Sequence, residues 1–364
     1  MDLALLYICM ISIKRINLTS PDDVLDYIRN IHRRVSTNSP FTSLLWQESW
    51  LLSIDKFQRL YAFIKDEESI GYCWLSKKNV SYLPFVQTWF LNQTGDSKKD
   101  QVWIENNNIV CAQVDQMDCL NALLQFLDST GTDKLYISMA SVREWQQLQP
   151  YSDHHYLSTR INGYRTFLAG NAIEKVLSKN TRAQVRRSIK RLSEAYGTLN
   201  IEEATKEQAC DYFESLGKYH IQKWGGAPEG SGFKNPYFIA HHTHLITKFF
   251  ENVSLVRVLA GNTVVGYSYN LVLENNVYFY CSGINYDFDD KKIKPGYTMH
   301  FLLMQFYKEK GFEWYDFLGG ESQYKQSLSS ETYEFNNMTF YPNTLLGKLT
   351  YQIDNVKRSL FSIS

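Results

Sequence analysis

Two carboxylates, Asp316 and Glu321, bracket the pair Gly319-Gly320, with Tyr324 and Lys325 close behind. Glu321 follows a flexible turn at the end of an apolar run, where a base can reach a substrate and take a proton. Asp316 lies inside that run, Trp314 to Leu318. Lys325 can pair with Glu321 or hold a phosphate; the same residues can also form a structural turn with a salt bridge. His220 and Trp224 are four residues apart, so on a helix they share a face. His220 suits orienting or deprotonating an acceptor, and Trp224 suits stacking on a sugar ring. Arg182, Arg186 and Lys190 recur in steps of four, with Arg187 and Arg191 beside them. This basic stripe can grip phosphates, of a nucleotide, a lipid-linked pyrophosphate or a tRNA, or it can be a solvated face.

Lys291, Lys292 and Lys294 precede Pro295-Gly296-Tyr297-Thr298, which opens a helical pattern. The start of a helix offers free N–H groups and partial positive charge, a seat for pyrophosphate. Gly296 is the glycine there, and Pro295 has no N–H. His241, His242 and His244 stand near one another without an acidic or Cys partner at ligand spacing, and we read no metal site. No Cys or Ser sits in a nucleophile motif.

The elements that must position these residues can be read along the chain. Val253–Ala260, Thr263–Glu274 and Val277–Ile284 are strand-like, with turns at Gly261-Asn262 and Asn275-Asn276. A helix from Lys294-Pro295-Gly296 to Gly311 leads to a strand at Trp314–Leu318, which can pair in parallel with the third strand. Upstream come a helix from Ser178 to about Ala195, a strand at Thr198–Glu203, a helix from a Thr205/Gln208 capping box to Trp224, a Gly-rich loop, and a helix opening at Pro236. A strand at Tyr333–Tyr341 and a helix at Leu345–Leu360 close the chain.

The first half repeats this order. A strand at Tyr7–Ile16 precedes helices from Ser20 to Arg34 and from Phe41 to Ile54. Strands at Arg59–Lys65 and Ile70–Leu75 follow, then a hairpin around Asn106-Asn107-Asn108, a helix at Met117–Leu127 and a strand at Lys134–Met139. We expect an α+β protein of two similar folds, each a mixed twisted sheet flanked by helices, over residues 1–160 and 161–364, with a linker near Tyr151–Tyr164.

Five stretches narrow the reading: Ser178–Leu192, Tyr219–Gly226, Tyr278–Phe288, Lys294–His300 and Tyr315–Lys325. Together, and in this order, they resemble the GNAT acyltransferases, in particular the acetyltransferases associated with cellulose and exopolysaccharide biosynthesis, relatives of the FemAB peptidoglycan aminoacyltransferases. The resemblance covers nearly all of Leu177–Leu328 and is weaker upstream. It implies an N-acyltransferase that moves an acyl group from acyl-CoA to an amine of a sugar or polysaccharide precursor. It also implies a degenerate first domain. By resemblance, Tyr280, Ser282 and Gly283 line the donor channel, and Lys292, Lys294, Gly296, Tyr297 and Thr298 hold the pyrophosphate. Glu321, His220 and Asp316 are the candidate bases, and Tyr324 is a proton donor to the leaving thiolate. Trp224, Lys325, Arg186 and Arg187 meet the acceptor. The alternatives are a FemAB-like transfer from aminoacyl-tRNA and an inactive binding module.

The chain has 364 residues, 38 basic and 38 acidic, so no global field draws it to nucleic acid or membrane. Its six Cys are scattered without a Cys-x-x-Cys pair, which favours reduced thiols in the cytoplasm. Leu3–Ile13 is apolar, yet shorter than the ~20 residues that a membrane span needs. Peripheral membrane contact stays open.

Overall fold

The structure is a computed structural model, and it describes residues 11–18, 20–54, 59–80, 83–141, 145, 153–170 and 172–361. Its contacts divide the chain into two compact units, Met1–Arg160 with Phe335–Ser364, and Ile161–Glu334. The C-terminal stretch from Phe335, expected with the second domain, packs with the first. The reason is strand pairing: Phe335 to Phe340 register against Ser141 to Leu135.

The first unit contains β1 (Ser12–Arg15), α1 (Pro21–His32), α2 (Leu44–Ser53), β2 (Arg59–Lys65), β3 (Glu68–Lys78), β4 (Thr88–Leu91), β5 (Val110–Cys111), α3 (Gln116–Ser129) and β6 (Lys134–Ser141). Ser20 caps α1 by accepting from the Asp23 N–H, with Pro21 at the first helical position. The strand order is β1-β2-β3-β4-β6-β13, where β13 is Glu331–Phe340 and belongs to this unit from Phe335 on. The expected strand Tyr7–Ile16 lies partly outside the described residues. The expected hairpin at Asn106–Asn108 is instead a loop, and β4 went unread because it is only four residues long.

The second unit runs from β7 (Tyr156–Phe167, in this unit from Ile161) through α4 (Ile173–Val176), α5 (Lys179–Tyr196), β8 (Leu199–Glu203), α6 (Ala209–Trp224), α7 (Pro236–Lys248), β9 (Val253–Ala260), β10 (Thr263–Leu273), β11 (Asn276–Ile284), α8 (Pro295–Glu309) and β12 (Trp314–Gly319) to α9 (Gln323–Leu328). The expected linker is therefore largely strand: Thr166 is fully buried and Tyr164 nearly so, opposite Tyr315 and Leu318 of β12. The sheet order is β8-β9-β10-β11-β12-β7; its first five strands follow the succession of the first unit, while the sixth place is taken by the strand that opens this unit rather than by one that follows the others. The turn between β10 and β11 sits one residue earlier than expected, on Glu274 at φ 52° and Asn275, with Leu273 opposite Asn276. Val185 and Leu192 of α5, Met299, Leu303 and Tyr307 of α8, and the sheet residues Val256, Val277, Phe279, Tyr315 and Phe317 form one buried cluster. A last helix, α10 (Leu345–Phe361), belongs to the first unit.

Candidate active site

β11 and β12 start as a parallel ladder. Asn276 faces Trp314, Val277 faces Tyr315 and Tyr278 faces Asp316. There the pairing stops, although β11 continues to Ile284 and β12 to Gly319. Bulges on both outer edges explain the parting. Against β10 the register jumps from Tyr269/Cys281 to Asn270/Phe279, which leaves Tyr280 as an extra residue. Against β7 it shifts between Asp316 and Leu318, and Leu318 sits at φ 60°. β11 stays bound to β10 as far as Ile284, so beyond Tyr278 its other edge is unpaired to β12.

Asp316 is buried and fastens this kink. Its Oδ1 accepts from the Leu318 N–H at 2.7 Å and from the Tyr333 hydroxyl at 2.7 Å. Burial pushes its carboxyl up to about 6, with Tyr333, the Leu318 N–H, Arg165 and Lys325 pulling the other way. Arg165, opposite it on β7, lies 4.1 Å over the Trp314 ring and donates twice to Glu331.

Tyr280 is held from behind. Its hydroxyl is 3.1 Å from His242 Nε2, and His242 Nδ1 is 3.1 Å from the Tyr269 hydroxyl. His242 is fully buried, and desolvation drives its pKa well below the ordinary value, so the ring is neutral and joins two phenols. The histidines weighed above as metal ligands thus include one that positions the bulge residue. The reason is helical geometry, which turns His242 toward the sheet.

The other candidates fall into two groups. Tyr324, on α9, stacks on His300 at 5.0 Å and 7°. Burial raises its hydroxyl above the phenol range, with Ser322 pulling against it and Tyr286 and Cys281 pushing the same way as burial. Glu321 is exposed at the end of β12 and accepts from Asn162 Nδ2 at 2.9 Å. Lys325 Nζ donates to the Gly319 carbonyl. Lys292, Lys294, Gly296 and Tyr297 stand at the start of α8, the two lysines exposed. Trp224 is 49 % exposed, and Lys223 Nζ lies 5.9 Å from its ring and 4.8 Å from that of Tyr286. Gln222 donates to Asp287, tying the end of α6 to the loop after β11.

Most of the remaining residues are engaged in packing. His220 Nδ1 bonds Ser231 Oγ at 2.8 Å and anchors the Gly-rich loop; burial lowers it to about 4. Thr298 is buried with its hydroxyl on Ser188, which also accepts from the Lys294 N–H. A Cβ on Gly283 would stand 2.2 Å from the Leu216 carbonyl, so Gly283 lets α6 press against β11. Ser282 is half-buried. His300 is buried against Tyr315, its Nδ1 3.0 Å from that hydroxyl, and burial, aided by Lys325, pushes it down to about 3. Arg186 and Arg187 are exposed on α5, and Arg191 pairs with Asp290. Tyr286, Asn162 and Tyr333 were missed as site residues, and His242 was weighed only as a metal ligand. Tyr286 alone had a signal, the exposed aromatic in Tyr278–Phe288.

The first unit makes the same ladder and then closes it. Thr88, Trp89 and Phe90 of β4 pair in parallel with Lys134, Leu135 and Tyr136 of β6. Past that point Asn107 enters. Its N–H donates to Met139 O, its Nδ2 to Leu91 O, and its Oδ1 accepts from Asn92; it forms a parallel bridge with Ala140 and is fully buried. A surface groove of about 680 Å³ is lined by Phe233, Pro236, Ile239, Thr243 and His244, none of them on β11 or β12.

Residues 179–326 match the family model of the Acetyltransferase (GNAT) domain. Among curated proteins the sequence has no match. Solved structures share the fold at low identity. FemX superposes with TM-score 0.56 at 13% identity, covering 93% of this chain and 99% of its own. A conserved protein of unknown function from Bacteroides thetaiotaomicron gives 0.55 at 12%, covering 91% and 99%. The C-terminal domain of a putative lysylphosphatidylglycerol synthetase from Agrobacterium fabrum gives 0.51 at 10%, covering 93% and 97%. The strand pair that parts beside a helix start lies inside the segment that matches the GNAT acetyltransferase domain, residues 179–326, and that match supports an acyltransferase.

Proposed function

We propose that the second unit transfers an acyl group from acyl-CoA to an amino group of a sugar or sugar-linked metabolite, by direct attack within a ternary complex. The observation that carries this is the break in the β11/β12 ladder after Tyr278 and Asp316. An unpaired strand edge is a row of backbone donors and acceptors, which can bond an extended thioester arm and polarise its carbonyl. The start of α8, with Lys292 and Lys294, suits the pyrophosphate. The amine nitrogen forms the new C–N bond as the C–S bond breaks. The amine proton passes to Glu321, and Tyr324, protonated at neutral pH, gives its proton to the departing thiolate. Trp224, Lys223 and Tyr286 offer the acceptor an aromatic and cationic surface. Calorimetric titration with acetyl-CoA and longer acyl-CoAs tests the reading. Saturable binding that is lost when Ser282→Trp crowds the β11 edge supports it, and no heat with any acyl-CoA sinks it.

One observation favours a second donor. Arg186 and Arg187 are exposed on a helix that also carries Arg182 and Lys190, a surface suited to an aminoacyl-tRNA. Steeply salt-dependent tRNA binding, lost in Arg186→Glu with Arg187→Glu, would favour that donor over CoA.

A further inference from the structure

The C-terminal helix α10 is turned inside out. At 100° per residue, Leu345, Val356, Leu349, Leu360, Ile353 and Leu346 fall in that order within an arc of about 100°. A stripe this narrow normally faces a core. Here Leu345 is 87 % exposed, Leu360 66 %, Val356 57 % and Leu349 56 %. The opposite side makes the contacts. Gly347 and Thr350 are buried, and a Cβ on Gly347 would stand 2.2 Å from the Pro342 carbonyl. Tyr351 stacks on His155 at 4.7 Å. Asp354 accepts from Lys134 at 3.0 Å and from the Tyr341 hydroxyl at 2.7 Å.

The charges select the occupant. Asp354 is the one acid of α10, and it is turned inward onto Lys134. The exposed charges are Lys357, about 20° past Leu346 at one edge of the stripe, Lys348, about 60° before Leu345 at the other, and Arg358 on the far side. Long basic side chains at the borders of an apolar stripe keep their heads in the polar layer while their stems lie on apolar surface. A second copy of α10 against the first would bring cation to cation with no acid to meet it. We propose that α10 lies on an anionic lipid surface, with Leu345, Leu349, Val356 and Leu360 in the acyl boundary and Lys348 and Lys357 among the headgroups. This is independent of the acyl-transfer reading, since no residue of α10 belongs to the candidate site.

The test is co-sedimentation of the full chain with vesicles of phosphatidylcholine alone and with vesicles in which phosphatidylglycerol replaces part of it. Binding should need the anionic lipid. Lys348→Glu with Lys357→Glu should weaken it about tenfold or more, by loss of headgroup attraction. Leu349→Asp with Val356→Asp should abolish it, while the circular-dichroism melt stays that of the wild type, because these side chains touch solvent. No binding to anionic vesicles, equal binding to both kinds, or binding that neither pair alters overturns the proposal. So does sedimentation equilibrium showing a dimer that Leu349→Asp dissociates, which would assign the stripe to a second copy of the chain.

Discussion

Tyr278 faces Asp316 in the last rung between β11 and β12, and the same Asp316 carboxylate holds the N–H of Leu318, where β12 kinks. One side chain thus marks where the ladder ends and fixes the backbone that ends it. Its second partner, Tyr333, comes from β13, so the kink is braced from outside the strand pair.

Asp316 should make folding weaken with rising pH. Its folded pKa, about 6, lies above the unfolded value of about 4. Between these values the folded state binds more protons, so stability falls as pH rises from about 4 to about 6, by on the order of 3 kcal/mol. Asp316→Asn keeps an acceptor for Tyr333 and Leu318 and removes the titration. The difference in denaturation midpoint between wild type and this variant should therefore slope with pH in that window and flatten above it.

His300 should act in the opposite sense. It is neutral when folded, its pKa near 3, and takes a proton near 6.5 when unfolded. Stability attached to it is present above pH 6.5 and is lost on acidification, at up to roughly 1.4 kcal/mol per pH unit. His300→Phe preserves the stack on Tyr324. Urea midpoints below pH 6 should fall less steeply in the variant than in the wild type.

Glu321 and Tyr324 should separate chemistry from binding. Glu321 is exposed, so Glu321→Gln should leave the melting temperature almost unchanged while kcat drops about 10²-fold or more. Tyr324→Phe should lower kcat with little effect on the Kd for acyl-CoA. Pre-steady-state and equilibrium measurements on the two variants check this, and unchanged turnover in both removes them from the proton path.

The donor's charge should be felt at α8. Lys292→Glu with Lys294→Glu should raise the Kd for acyl-CoA about tenfold and reduce its salt dependence, because both lysines are exposed at the start of the helix. Reversal of Arg186 and Arg187 should leave that Kd alone.

Asn107→Ala should test the closed ladder of the first unit. The change orphans Leu91 O and one contact of Asn92 in a fully buried place, at a cost of about 1–3 kcal/mol. The Kd for acyl-CoA should not move, since the plug closes only its own unit.

Much of the second unit was legible in the residues. Apolar alternation, the Gly261-Asn262 turn, Pro236 and Pro295 at first helical positions and the Ser178 cap are local signals, and each element they mark is present. The Thr205/Gln208 box is there in half, as Gln208 accepting from the Thr205 N–H, although the helix begins at Ala209. The site was less legible. His220 had the right spacing with Trp224, but its neighbour Ser231 lies across a loop whose path spacing cannot give. Asn106–Asn108 resembled a hairpin because Asn favours turns; what fixes it is β4 and β6, distant in sequence.

By itself the sequence determined the order of strands and helices, their turns and caps, and the five stretches of resemblance, because these depend on residues within a few positions of one another. Only the tertiary structure decided where the β11/β12 ladder parts, that Asp316 and His242 brace the parting, that Asn107 fills the matching place in the first unit, and that the apolar stripe of α10 faces outward. Those outcomes rest on register and burial. They are set by strands and side chains tens to hundreds of residues apart, and no local pattern carries them.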